Sequence, residues 1–444
     1  MAWSLVFLNL LGLTSAILVP NLPGQPPVTF KQYSGYYSVG ESGNHQMHYW
    51  FTESKNNPST DPVILWLTGG PGCSGISALF EELGPFQINS DGATLNLNPY
   101  SWNNNASLLI FESPVGVGYS YSKDQNLFTG DNRTASENWD ALKAFFTEFS
   151  QYQKNDFYIT GESYAGMYIP TLVQDILDRK QQYSFNLKGF AIGNGVLDKG
   201  LDTDTIIQFE HKHGMIDQLH WQRAQKECCT NGNTDDCLFH KHVLGWCGLF
   251  MEEAVGRQWE SGINPYNMYA DCQHSGTKRF KVDYRRRFGK EPNVLDAGTP
   301  CLDDSVTEKY MNRRDVRTAL GIPGLLPNWS TCSDVISVVY EEQYSTVAPQ
   351  IKNALTAGLK VMLYHGDIDM VCNFFQGQRF TTNLNLTQVS AKRSYHVNGQ
   401  VGGFVTDWGQ LKFLTVKGAG HMVPTDKPAV ASYILNAFIN DKKF

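Results

Sequence analysis

Residues 155–170 read NDFYITGESYAGMYIP and change periodicity across one short corner. Phe157-Tyr158-Ile159 is an apolar run of the kind that ends a buried strand. Past the corner Ile169, Leu172, Val173, Ile176 and Leu177 recur at helical spacing, and Pro170 is expected to kink that helix. Between the two, Glu162-Ser163-Tyr164 sits among small residues: Gly161 before it, Ala165 and Gly166 after it. A sharp strand-to-helix corner is crowded, so small neighbours are what it demands. Such a corner exposes the Ser163 hydroxyl and aims the first backbone N–H groups of the helix at developing negative charge. The frame approaches G-x-S-x-G, with Ala165 where the last glycine would stand. An ordinary turn can carry the same residues, so the corner needs partners before it becomes chemistry.

The alternation extends to both sides. Upstream, YYSV (36–39) and MHYWFTES (47–54) are strand-like runs joined by Gly40 to Gly43, a hairpin pattern. VILWLTGG (63–70) and SLLIFES (107–113) read as buried strands. Thr134-Ala-Ser-Glu137 has the form of a capping box opening a helix with Trp139, Leu142, Phe146 and Phe149 on one face. Downstream, LKGFAIGNG (187–195), KVMLYHGD (360–367) and LKFLTVKGAGH (411–421) add three strands. A last helix follows in PTDKPAVASYILNAFI, with Thr425 or Asp426 as its cap, Pro428 in its first turn and Val430, Tyr433, Ile434, Ala437 and Phe438 apolar. Strands alternating with helices predict an α/β fold, a mostly parallel sheet covered on both faces. From about 200 to 335 the pattern breaks, and the six cysteines from 228 to 301, of nine in all, lie there. The expected organisation is a leader over 1–16, a core in two parts (17–199 and 336–444) and a disulfide-stapled cap insertion over 200–335.

A serine nucleophile needs a base to take its proton and an acid to hold that base's tautomer. On a sheet of this kind both come from loops after later strands, in the chain order Ser, Asp, His. The loop after the strand at Lys360 offers Asp367 and Asp369, and the next offers His421. Periodicity does not choose between the two aspartates. His365 falls inside its strand, and His211, His213, His240 and His242 belong to the insertion. WLTGGPGCSG (66–75) supplies backbone N–H groups at a strand end for an oxyanion.

Leu5 to Leu13 is almost continuously apolar and ends in Thr14-Ser15-Ala16, which reads as a secretory signal cleaved after Ala16. Four N-glycosylation sequons, at Asn105, Asn132, Asn328 and Asn385, agree with a lumenal route. Nine cysteines in an oxidising compartment suggest four bridges and one free thiol. A metal knuckle from Cys237, His240, His242 and Cys247 is the competing reading, but no CxxC pair is present. The net charge of −7 without a basic patch argues against nucleic-acid binding, and no later run reaches the ~20 apolar residues of a membrane span.

Together LWLTGGPGCSG, ELGPF, NPYSWNNNASLLIFESPVGVGYSY, ITGESYAG, GDIDMVCN and GAGHMVP resemble the serine carboxypeptidase family, most closely its animal lysosomal branch. The likeness runs from about Tyr36 to the C-terminus. It implies an α/β-hydrolase fold with a helical cap, and removal of C-terminal residues from peptides through an acyl-enzyme at acidic pH. It implies Ser163 as nucleophile, His421 as base and Asp369 as orienter, with the N–H groups of Gly70 and Tyr164 as oxyanion hole. Glu162, Glu82, Thr68 and Gly69 match positions that hold the substrate carboxylate, and Met422 a position near the leaving residue. Crowded carboxylates raise each other's pKa, so the glutamates should share protons in acid and donate to that carboxylate. Thr68 departs from the family's usual asparagine and offers a single hydroxyl. The implied bridges are Cys73–Cys332, Cys228–Cys247, Cys229–Cys237 and Cys272–Cys301, with Cys372 free. No cofactor or metal is expected, and the expected partners are peptide substrates, with a homodimer left open. The alternatives are an acyltransferase of the same family and a lumenal protective scaffold.

Overall fold

The computed structural model describes residues 16–233, 237–242, 244–260, 262–272 and 301–444. Residues 1–15 of the expected leader lie outside them. The ten main strands are β1 (Gln32–Val39), β2 (His45–Thr52), β3 (Val63–Leu67), β4 (Ser107–Phe111), β5 (Phe157–Glu162), β6 (Leu187–Gly193), β7 (Lys360–Gly366), β8 (Ser390–Val397), β9 (Gln400–Trp408) and β10 (Leu411–Val416). They form one sheet in the order β1-β2-β4-β3-β5-β6-β7-β10-β9-β8, with Ile17–Leu18 beyond β1 and Tyr121–Ser122 on β2. The six central strands, β4 to β10 in that order, are parallel. β1 and β2 on one side, and β9 and β8 on the other, are antiparallel.

Alternate residues of each central strand feed opposite faces, as the two-residue period requires. Leu65, Leu67, Ile159, Ile192 and Leu363 join one apolar layer with α2 (Asp131–Glu148) and α3 (Ala165–Asp178). Ile64, Trp66, Tyr158, Ala191, Met362 and Tyr364 join the other with α1 (Gly75–Glu81) and the C-terminal helix Pro428–Ile439. Burial on both faces explains why VILWL reads as an unbroken apolar run.

The 200–335 interval contains two kinds of packing. The helices Lys199–Lys212, Gln218–Cys228 and Gly245–Glu260 share their own cluster, with Ile207, Trp221, Phe250 and the half-cystines 228, 229, 237 and 247. The helix Ser305–Met311 and its successors instead place Tyr310, Met311, Val316, Leu320 and Trp329 in the main body. Glu112, just past β4, ties that later segment to the core. Its buried carboxylate accepts from Trp329 Nε1 (2.7 Å), His48 Nδ1 (2.8 Å), Ser74 Oγ (2.5 Å) and the Tyr119 N–H (2.8 Å). A charge out of water requires such partners.

Two expected caps are corrected. α2 starts at Asp131, so Thr134 and Glu137 lie inside the helix rather than at a capping box. Glu137 pairs with Arg133 one turn back and with His45 on β2, which draws the helix start earlier than the local motif suggests. Thr425 and Asp426 do not cap the last helix but lie in a short helix of their own, Val423–Asp426, and the Asp426 carboxylate accepts from the Gly420 N–H (2.7 Å). Pro428 does open the last helix. α3 runs through Pro170 without interruption.

The structure joins Cys73–Cys332, Cys228–Cys247, Cys229–Cys237 and Cys272–Cys301 and leaves Cys372 buried and reduced. Cys73–Cys332 closes a separation of 259 residues and fastens the turn after β3 to the later core segment. Replacing both residues by alanine should lower the free energy of unfolding by about 2–5 kcal/mol. A denaturation midpoint equal to wild type would contradict that assignment.

Candidate active site

The corner of β5 and α3 is built as the sequence suggests. Ser163 has φ 62°, a left-handed conformation that costs a non-glycine residue energy and persists only where its surroundings enforce it. Here the Ser163 N–H donates to the Gly193 carbonyl (3.1 Å), and its carbonyl accepts from Gly166 (2.9 Å) and Val196 (3.0 Å). The small neighbours are steric necessities. A Cβ on Gly161 would lie 2.2 Å from the Leu67 oxygen, and one on Gly166 would lie 2.4 Å from the Val196 oxygen.

The glycine turn after β3 lies against this corner. A Cβ on Gly69 would fall 2.3 Å from the Tyr164 nitrogen and 2.7 Å from Ser163 Cβ. Gly70 follows with φ 115°. The turn therefore brings backbone within reach of both Ser163 and the first N–H of the helix. The Tyr164 phenol is anchored from behind, donating to Asp131 Oδ1 (2.9 Å) beside Tyr340 (2.8 Å). Asp131 is fully buried, and its other oxygen accepts from the N–H groups of Gln343 and Tyr344.

The loops after β7 and β10 meet in one hydrogen bond. His421 Nδ1 donates to Asp369 Oδ2 at 2.8 Å, with both side chains buried. The same carboxylate accepts from Asn194 Nδ2 (2.8 Å) and from the N–H groups of Val371 (2.9 Å) and Cys372 (3.1 Å). Four donors converge on it, and a proton on Nδ1 leaves Nε2 as the acceptor nitrogen of the ring. Asp367 has a different task. Its Oδ1 accepts from the Gly418 N–H (2.6 Å), linking the two loops, and burial raises its pKa. His365 lies inside its strand, fully buried, its Nδ1–H donating to the Cys372 carbonyl (3.0 Å), and burial pushes its pKa down to about 4.

Three residues that brace the site carry no periodic signal. Asn194 also accepts from the Gly366 N–H (3.0 Å), so it braces the loop after β7 from the neighbouring strand. Asn in G-N-G at a strand end is the one sequence hint of it. Asp131 shows only as an acidic residue before a helix. Tyr266 comes from the cap: its carbonyl accepts from the His421 N–H (2.6 Å), and its ring lies edge-on to the imidazole at 5.3 Å.

The residues matched to carboxylate recognition are buried. Glu162 is 1% exposed, Glu82 5% and Thr68 2%. Trp66 Nε1 donates to Thr68 Oγ1 (2.8 Å), which leaves the threonine hydrogen to be given elsewhere. Met422 is half-buried beside His421. The four sequon asparagines are all exposed. Cys237 and Cys247 are consumed in bridges and His240 Nδ1 faces Asp204 (2.8 Å), so the competing metal knuckle does not assemble.

Comparison with known proteins identifies the family. The family profile described as "Serine carboxypeptidase" matches residues 20–441. The lysosomal protective protein of Mus musculus is 37% identical over 96% of this chain and 93% of its own. A serine carboxypeptidase of Caenorhabditis elegans, ctsa-4.1, is 38% identical over the same shares. In structure the chain superposes on the prohormone-processing carboxypeptidase Kex1 of Saccharomyces cerevisiae with a TM-score of 0.77 at 22% identity, covering 96% of each chain, which bears on the fold. The chain, an α/β-hydrolase in fold and a serine-type carboxypeptidase in kind, belongs to the serine carboxypeptidase family.

Proposed function

We propose that Ser163, His421 and Asp369 are the nucleophile, base and orienter of a hydrolase that removes single residues from peptide C-termini. The observation that carries the reading is the buried 2.8 Å bond between His421 and Asp369, on the loops after the neighbouring strands β7 and β10, beyond β6 from the Ser163 strand β5. His421 Nε2 takes the Ser163 proton as Oγ attacks the scissile carbonyl, and the imidazolium so formed is stabilised by the Asp369 carboxylate. The N–H groups of Gly70 and Tyr164 receive the oxyanion, with Gly69 giving the close approach. His421 then returns the proton to the departing amino acid. Water repeats the sequence in reverse on the acyl-enzyme.

Restriction to a chain end requires a reader of the free carboxylate. Glu162 and Glu82, with Thr68 and Gly69, supply it, the glutamates donating through the protons they share in acid. As pH rises those protons are lost and two anions face a third, so substrate binding fails. Met422 borders the leaving residue. The leader and the exposed sequons support entry to the secretory pathway, with lysosome and secretion both open, and no helix among the described residues is long and apolar enough to cross a membrane.

A second reading rests on Thr68. One hydroxyl on a short arm holds a carboxylate less firmly than an amide would, and transfer of the acyl group to another alcohol or amine in place of water uses the same Ser163 chemistry.

Ser163→Ala should lower kcat on N-blocked dipeptides by about 10⁴- to 10⁶-fold. Activity within tenfold of wild type would exclude Ser163 as nucleophile. For the wild type, kcat/KM should peak at about pH 5 and decline toward neutrality mainly through KM. A profile that stays flat or climbs to about pH 8 would refute carboxylate recognition by shared protons.

A further inference from the structure

The residues at the ends of three adjacent strands stand in one row. Glu162 of β5 is in register with Gly193 of β6, and Gly193 with Tyr364 of β7. Register neighbours project from the same face of a sheet. The middle position carries no side chain, and the Tyr364 ring occupies that space. A Cβ on Gly193 would lie 2.5 Å from the ring Cζ and 2.6 Å from the hydroxyl oxygen. Neighbouring strands are about 4.8 Å apart. The hydroxyl therefore reaches across β6 toward the Glu162 side of the row.

That hydroxyl is fully enclosed, and it has no hydrogen-bond partner among the described residues. The charges that act on it are those of Glu162 from β5 and Glu82 from the end of α1. Burial and then these two carboxylates hold the phenol well above its ordinary pKa, so it keeps its hydrogen at any working pH. The other ionisable groups nearby are turned elsewhere: Glu81 accepts from Thr307 Oγ1 (2.6 Å), Asp426 from the Gly420 N–H, and Asp369 and His421 engage each other. His365, next in β7, projects from the opposite face.

We propose that Tyr364 is a positioning residue for C-terminal recognition, its O–H directed across Gly193 at the Glu162–Glu82 pair. The proposal rests on the reading that this pair binds the substrate carboxylate. An O–H turned toward the pair favours its anionic form and leaves the shared proton for the side that faces substrate. Glycine at 193 is what permits it, since any side chain there would displace the ring.

The test is the pH dependence of KM for an N-blocked dipeptide acid, and for its C-terminal amide, in wild type, Tyr364→Phe and Glu162→Gln. Phenylalanine keeps the ring that fills the space over Gly193 and deletes only the donor. Losing that donor disfavours the anionic pair, so the pair holds its proton longer. The pH at which KM for the acid begins to climb should then move up by about one unit. The change should be several-fold larger for the acid than for the amide. Glu162→Gln, whose amide donates at every pH, should flatten the climb. If Glu162→Gln flattens it while Tyr364→Phe leaves the midpoint in place, moves it down or affects acid and amide alike, the role of Tyr364 is overturned and the glutamate reading stands. If Glu162→Gln leaves the climb intact, the reading beneath both is overturned.

Discussion

One buried hydrogen bond, from His421 Nδ1 to Asp369 Oδ2, fixes the imidazole around which the site is arranged. It joins the loops after two neighbouring parallel strands, and everything around it limits the freedom of the imidazole. Asn194 and two backbone N–H groups keep the carboxylate oriented. Asp367 staples the same two loops through Gly418, and the Tyr266 carbonyl holds the histidine backbone from the cap. A ring held in one tautomer by a desolvated anion can accept a proton at the other nitrogen without reorganisation. The left-handed corner at Ser163 does the corresponding work for the proposed nucleophile, and its strain is held by backbone hydrogen bonds from β6 and the loop after it.

Much of the fold is legible in the chain. The change of period across 155–170 is β5, Ser163 and α3, and the unbroken apolar runs are the central parallel strands, buried on both faces. Local motifs were less reliable where a tertiary partner competed. The Thr134–Glu137 pattern suggests a helix start, but Glu137 pairs with His45 on β2 and the helix begins earlier. Thr425 and Asp426 suggest a cap, but the aspartate is bound to the Gly420 N–H.

The site is legible to a smaller degree, for a physical reason. Periodicity locates the loops after β7 and β10, yet Asp367 and Asp369 are indistinguishable by it, and only the direction in which each carboxylate turns separates a staple from a partner of His421. The disulfide pairings, Glu82 and Thr68 entered through motif resemblance rather than through spacing. Asn194, Asp131, Tyr266 and Tyr364 act by reaching across from a neighbouring strand, helix or cap. Such reach depends on register and on which neighbour lacks a side chain, and neither is written locally in the chain. The 200–335 interval therefore reaches the candidate site, because it carries Tyr266 into contact with His421.

The central claim is that Asp369 sets the tautomer of His421. Asp369→Asn preserves shape but removes the anion and presents an amide in its place. The account predicts a folded protein whose kcat on blocked dipeptides falls by about 10⁴-fold at the pH of maximal activity. A kcat within tenfold of wild type would contradict it.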